Sequence, residues 1–179
     1  MRLRLIELTN CELRRWETGD VSSLVRNASN RRVSMNLRDR FPYPYTEEHA
    51  RGWTDVASQE DPLVHFAIAV GGDAVGGIGL QLQPDVFRRS AEIGYWLGEP
   101  YWGRGIMTDA VSAVTDYAIT SLGLCRVFAG VFDPNPASAR VLEKAGYVRE
   151  ARLRRSVFKD GRMRDQLIYA YVVEDEPRI

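Results

Sequence analysis

Gly103-Arg104-Gly105, within "EPYWGRGIMTDAV", carries the clearest chemical signal in this sequence. Two glycines around an arginine let peptide amides approach an anion with no Cβ in the way. Met107, Ala110, Val111, Val114, Tyr117, Ala118 and Leu122 then repeat at helical spacing, so the turn feeds a helix N-terminus. The first amides of a helix lack internal partners and carry about half a positive charge, which suits a pyrophosphate, and Arg104 could add a cation. Two familiar phosphate motifs are excluded. A Walker loop needs Gly-Lys-Ser/Thr after four intervening residues, and a dinucleotide fingerprint wants glycine where Thr108 stands. The bland alternative for the same residues is an ordinary helix start with convenient glycines and a core-facing Trp102.

The elements around this turn can be read from periodicity and punctuation. Residues 3–8 alternate as an opening strand, and Asp20 caps a helix that ends near 27–30. Pro42 and Pro44 break the pattern, and Thr46 with Glu47 and Glu48 restarts a helix to about Ser58. Strands are expected over 63–70, 74–82 and 91–97, the last leading straight into the glycine turn. Gly123 ends the long helix, 125–132 reads as a buried strand, and Asn135 caps a short helix with Pro136 at its first position. Residues 147–158 and 163–173, joined by "KDGR", form a long hairpin. The expected class is α+β (mixed α/β): a central sheet flanked by about four helices, in one domain over 1–179 with a frayed tail from about 174.

Composition narrows the setting. Lys+Arg and Asp+Glu are both 24, so no net field recruits nucleic acid or an anionic membrane. Cys11 and Cys125 are far apart in sequence and form no metal-ligand spacing, so no metal is expected and a reduced, cytoplasmic protein is the simplest reading. The start, "MRLRLIELTN", has no long apolar run.

"AEIGYWLGEPYWGRGIMTDAV" together with "VFDPNPASARVLEKAGYV" resembles the GNAT acetyltransferase superfamily, in its RimJ/RimL-like branch. The resemblance covers nearly the whole chain, including "FPYPYTEEHA" and "RMRDQLIYAYV". It implies a mixed, mainly antiparallel sheet whose two central parallel strands splay apart, with acetyl-CoA as co-substrate in the gap. Its pantetheine would pair with strand backbone at Tyr95, Trp96 and Leu97. The phosphates would fall to Trp102, Gly103, Arg104, Gly105, Ile106, Met107 and Thr108. Asn135 carries a family role near the pantetheine, with N-capping ahead of Pro136 as the structural alternative, and Ser138 is similarly ambiguous. Trp102 stands where much of the superfamily has Arg or Gln, and Met107 where it has Gly or Ala.

Acetyl transfer needs a neutral amine. At pH 7 deprotonation costs about 1.2 kcal/mol for an α-amine and roughly 4.6 for lysine, so a modest base favours the α-amine of a protein N-terminus. Small-molecule amines, such as an antibiotic or an amino acid, remain an alternative acceptor class. By resemblance Glu92 is the base, acting directly or through water, and it shares a strand face with Gly94 and Trp96. Pairing with Arg88 or Arg89 is its structural alternative. Many superfamily members carry a tyrosine at the position of Leu142 to protonate the departing thiolate, so no general acid carries over there, and a non-catalytic acyl-CoA-binding module stays open. Phe41, Tyr43 and Tyr45 are candidates for the acceptor wall, by stacking or packing. His65 is expected as a satisfied interior histidine, His49 on an exposed helix face, and Asp165 and Tyr169 as acceptor-lining or structural groups. Monomer and homodimer are both compatible with the sequence.

Overall fold

The computed structural model describes residues 6–173. Among these residues eight strands form one mixed sheet in the order β1-β2-β3-β4-β5-β6-β8-β7. The strands are β1 (Ile6–Glu7), β2 (Glu12–Arg14), β3 (His65–Val70), β4 (Asp73–Leu82), β5 (Ser90–Leu97), β6 (Arg126–Phe132), β7 (Val148–Lys159) and β8 (Arg162–Val172). The helices are α1 (Val21–Ala28), α2 (Arg31–Ser34), α3 (Glu47–Ala57), α4 (Ile106–Thr120) and α5 (Pro136–Lys144). β5 and β6 are parallel, whereas β1/β2, β2/β3, β3/β4, β6/β8 and β7/β8 are antiparallel.

Local signals account for most boundaries. Thr46 Oγ1 accepts from the His49 amide at 3.4 Å, and Glu47 and Glu48 occupy the first turn of α3, where the helix dipole favours them. Asn135 Oδ1 accepts from the Ser138 amide at 3.3 Å, with Pro136 at the start of α5. One strand and one α-helix escape the sequence reading. β2 has three residues, too few for alternation to show, and α2 is a single turn capped by Asn30, which accepts from Arg32 N at 2.8 Å. Among the described residues there are thus five α-helices, one of them this short turn. Of the opening strand expected over 3–8, Ile6–Glu7 is strand and Leu8 already belongs to the turn that follows, its amide donating to Cys11 O; residues 3–5 of that expectation and the expected frayed tail lie outside the described residues.

The chain groups into two compact units. The first comprises the chain to Gly79 together with Tyr95–Ala110. Its core is aromatic: Trp16, 1% exposed, meets Trp53 edge-on at 6.2 Å, and Phe41 lies 5.1 Å from Tyr45 and 5.4 Å from Trp96 between ring centroids. Burial pushes the Tyr45 phenol up to about 12. Gly76 and Gly77 make room for the end of β5. A Cβ on Gly76 would stand 2.6 Å from the Trp96 carbonyl oxygen, and one on Gly77 2.8 Å from Trp96 Nε1. Arg14 forks onto Asp20 at 2.7 and 2.8 Å, an ion pair that raises the guanidinium pKa and anchors the segment entering α1.

The second unit comprises Leu80–Gly94 and the chain from Val111. Val127, Ala129 and Val131 alternate into its core, and Leu142 of α5 is fully buried. Tyr147, at the exit of α5, is buried with its hydroxyl 2.6 Å from Thr115 Oγ1.

Candidate active site

In the first unit the site begins where β5 ends. The Gly98 amide donates to Val75 O at 2.8 Å, and the indole of Trp102 donates back to Leu97 O at 2.7 Å. Trp102 is 41% exposed, so the core-facing alternative does not hold: its ring tethers the turn and lies under Arg32, 5.5 Å from the guanidinium carbon. Gly103 and Gly105 have φ of +73° and +79°, conformations costly for any residue with a Cβ. No heavy atom lies within 4 Å of the space a Cβ would take at either position, so the turn is open on that side. Gly105 O accepts from the Asp109 amide at 3.1 Å, which starts α4 immediately after the turn. Arg104 is exposed and stacks 5.3 Å from the Tyr101 ring centroid. Ile106 and Met107 are 2% and 8% exposed, so their side chains are committed to packing and only their backbone faces the turn.

Sequence reasoning missed Arg32, Glu99 and Asn30. Arg32 pairs with Glu99, and Asn30 Nδ2 donates to the same carboxylate at 2.9 Å. The signal was present as Asn30-Arg31-Arg32, a cap followed by two cations. It belonged to a helix too short for periodicity to reveal.

The expected acceptor-wall aromatics divide. Tyr45 is 7% exposed and packs in the core with half-buried Phe41, whereas Tyr43 is 52% exposed beneath Arg31. His49 lies exposed on α3 with its Nδ1 2.9 Å from Thr46 Oγ1. His65 stands 2.5 Å from Glu60 Oε1 and edge-on to Trp53, so it is satisfied as expected, but its side chain is 34% exposed rather than interior.

In the second unit, half-buried Glu92 closes a short parallel ladder: Ser90↔Arg126, Ala91↔Val127 and Glu92↔Phe128. Arg88 and Arg89 donate to Asp85 O at 3.2 Å and Gly123 O at 3.0 Å. Residues directly opposed in a sheet share a face, so Glu92 lies on the face of Phe128 and, two residues along β6, of Gly130. A Cβ on Gly130 would be 2.2 Å from Gln166 Nε2, so the Gln166 side chain lies across this glycine. An isolated glycine inside an apolar strand was the available signal for this close approach.

Asn135 is half-buried and its Oδ1 caps α5, which leaves the structural role in place and the amide nitrogen as the atom for any second one. Tyr169 donates to Glu143 Oε1 at 3.1 Å, and its pKa is raised by burial first and by that carboxylate second. Asp165 accepts from the Arg155 amide at 2.8 Å and Arg152 Nε at 2.6 Å, contacts that lower its pKa. Among the described residues no group of three His, Cys, Asp or Glu is gathered for a metal. No helix among them is long and apolar enough to cross a membrane.

An open glycine turn at a helix start, fed by a strand from a mixed sheet, is the arrangement implied by the sequence resemblance. The family described as Acetyltransferase (GNAT) domain matches residues 10–148. This chain belongs to the GNAT acetyltransferase family. It is 38% identical over 120 residues to the Bacillus subtilis (strain 168) protein named Probable N-acetyltransferase YjcK, covering 66% of each. It is 31% identical over 88 residues to the ribosomal-protein-serine acetyltransferase of Escherichia coli (strain K12), covering 49% of each. The match thus spans under two thirds of either relative's length. Mycobacterium smegmatis RimJ in complex with CoA-disulfide superposes with a TM-score of 0.79 at 25% identity, over 94% of this chain and 84% of that one. Leu142, at the position where the sequence resemblance implies a tyrosine in many members, is a buried aliphatic side chain with no proton to donate.

Proposed function

We propose that this protein transfers the acetyl group of acetyl-CoA to a primary amine, by direct attack in a ternary complex, with the α-amine of a protein N-terminus favoured. The observation that carries the cofactor reading is the Gly103–Gly105 turn, whose positive-φ glycines leave open space before α4. Backbone amides of Trp102–Thr108 would receive the pyrophosphate, and Arg104 supplies positive charge beside it. Backbone at Tyr95, Trp96 and Leu97 would pair with the pantetheine, and the Asn135 amide and Ser138 would complete its contacts. RimJ, the structural neighbour described above, is in complex with CoA-disulfide.

Glu92 acts as base, directly or through one water, taking the proton the amine sheds as its nitrogen bonds to the acetyl carbon. A strand amide near Tyr95–Leu97 stabilises the oxyanion. The carbon–sulfur bond breaks and sulfur leaves as thiolate, which is tolerable because thiols have pKa values near about 8.5. The chemistry of the α-amine, together with the resemblance to a ribosomal-protein-serine acetyltransferase, supports a protein acceptor.

The test is a panel of free-N-terminus peptides, lysine side-chain analogues and small amines with acetyl-CoA, followed by release of free thiol. Peptide α-amines should turn over fastest. Preference for a small amine would move the acceptor class, and no turnover on any acceptor would overturn the catalytic reading. Leu142 favours one second reading, a non-catalytic acyl-CoA-binding module. In that case acetyl-CoA raises thermal stability while Glu92→Gln changes no rate.

A further inference from the structure

The β7–β8 hairpin carries seven basic and three acidic side chains, a net charge of +4 in a chain whose formal net charge is zero. Its carboxylates are engaged. Glu150 accepts from both terminal nitrogens of Arg126 at 2.9 and 2.5 Å, Asp165 takes Arg152 and the Arg155 amide, and Asp160 also has a partner. The cations are not all matched: among the described residues no ion pair or side-chain hydrogen bond holds the guanidinium of Arg154, Arg155, Arg162 or Arg164. The first three are exposed and Arg164 is half-buried. Apart from the attraction of Arg154 for the Asp165 carboxylate, these four like charges repel one another on one hairpin, which points to a use outside the fold.

The ladder pairings place part of this charge on the face of Glu92. Phe128 is paired with both Glu92 and Ala170. Along β8, Ile168 then opposes Gly130, Gln166 opposes Phe132, Arg164 opposes Val157 and Arg162 opposes Lys159. One sheet face therefore runs from Glu92 past Gly130 and Gln166 to Arg164 and Arg162. From Ala170 to Arg164 is about 20 Å along the strand, with about 10 Å across two strand spacings to Glu92. An extended peptide whose amine sits at Glu92 would bring roughly its fifth to eighth residue to these arginines.

We propose that the arginine end of this hairpin docks an acidic segment of the protein acceptor, a few residues beyond the N-terminus that is acetylated. The inference rests on the α-amine reading and adds to it a substrate class. Nucleic acid fits less well, because the chain as a whole has no positive field and exposed Leu153, opposite Gln166, adds an apolar group to the arginine face, whereas Phe158 and Met163 pair with each other on the opposite face. Apolar and cationic groups together match an acidic amphipathic polypeptide.

The experiment uses the full chain and three ten-residue peptides with a free N-terminus, identical except for Glu, Gln or Lys at the fifth to eighth positions. Binding is read by fluorescence anisotropy, and acetylation is followed separately. The Glu peptide should bind about tenfold more tightly than the Gln peptide at low salt, the order expected of several exposed charge pairs. The preference should fade as salt rises. It should vanish in an Arg154→Gln/Arg155→Gln/Arg162→Gln/Arg164→Gln variant and reverse toward the Lys peptide when the same four become Glu. Unchanged far-ultraviolet circular dichroism shows that each variant folds, and Arg154→Gln/Arg155→Gln alone should retain part of the preference. Equal binding of all three peptides overturns the proposal, as does tighter binding of a single-stranded RNA of equal charge. If the Gln peptide is acetylated without a Glu preference, docking fails and α-amine transfer stands. If the Glu peptide is preferred but none is acetylated, the docking surface stands and the α-amine reading fails.

Discussion

Glu92 is the side chain on which the proposed chemistry turns, and its removal is the sharpest test at the residue scale. Glu92→Gln keeps the volume and removes the base, so kcat/KM should fall about 10²–10⁴-fold with acetyl-CoA affinity unchanged. Steady-state rates beside calorimetric binding would check this, and an unaltered rate would strip Glu92 of the role. Cys11 gives an independent check on burial. Burial first, then Asp109 and Glu12, pushes its thiol up to about 11 from 9.0. The neutral thiol therefore stabilises the folded state fully below about pH 9, and this contribution is lost as pH rises through about 11. At pH 8.5 iodoacetamide should modify Cys11 slowly in the native protein and rapidly in urea, by mass spectrometry; rapid native labelling would contradict the burial.

At the scale of elements, close backbone approach rather than side-chain chemistry positions the candidate site. Gly76→Ala would drive a Cβ to 2.6 Å from the Trp96 carbonyl and should cost about 1–3 kcal/mol, whereas Gly94→Ala, with nothing within 4 Å, should leave stability within about 0.5 kcal/mol. Thermal melts of the two variants would separate these outcomes. The sequence made such elements legible to differing degrees. Thr46 with its acids, Asn135-Pro136 and the glycine turn set α3, α5 and the start of α4 within a residue or so, because capping is local chemistry. β2 and α2 stayed hidden, since three or four residues carry no period. The Arg32–Glu99 pair was also hidden, because its partners are 67 residues apart and only folding brings them together. Gly130 and Gln166 show the same limit: the glycine was visible, but the side chain that occupies its space was not.

For the molecule as a whole, coenzyme binding should register as stability. If acetyl-CoA binds only the folded state, a concentration 100 times Kd adds about 2.7 kcal/mol. In a chain of this size that raises Tm by about 5–10 °C. Gly105→Ala should lower the baseline Tm, because its φ of +79° penalises a Cβ by about 1–2 kcal/mol, and should shrink the acetyl-CoA increment. An unchanged increment would remove the turn from the phosphate site. β7 has one further consequence. It ends the sheet order, and a twelve-residue strand at a rim offers open backbone to any other chain. Its pairing with β8 slips twice, between Arg149 and Ala151 and between Leu153 and Val157, and Arg154 and Arg155 stand in the second slip. Kinked backbone and repelling cations there keep one copy from templating strand growth on the next, so neutralising those arginines should bring on light scattering at high protein concentration well before the fold is lost.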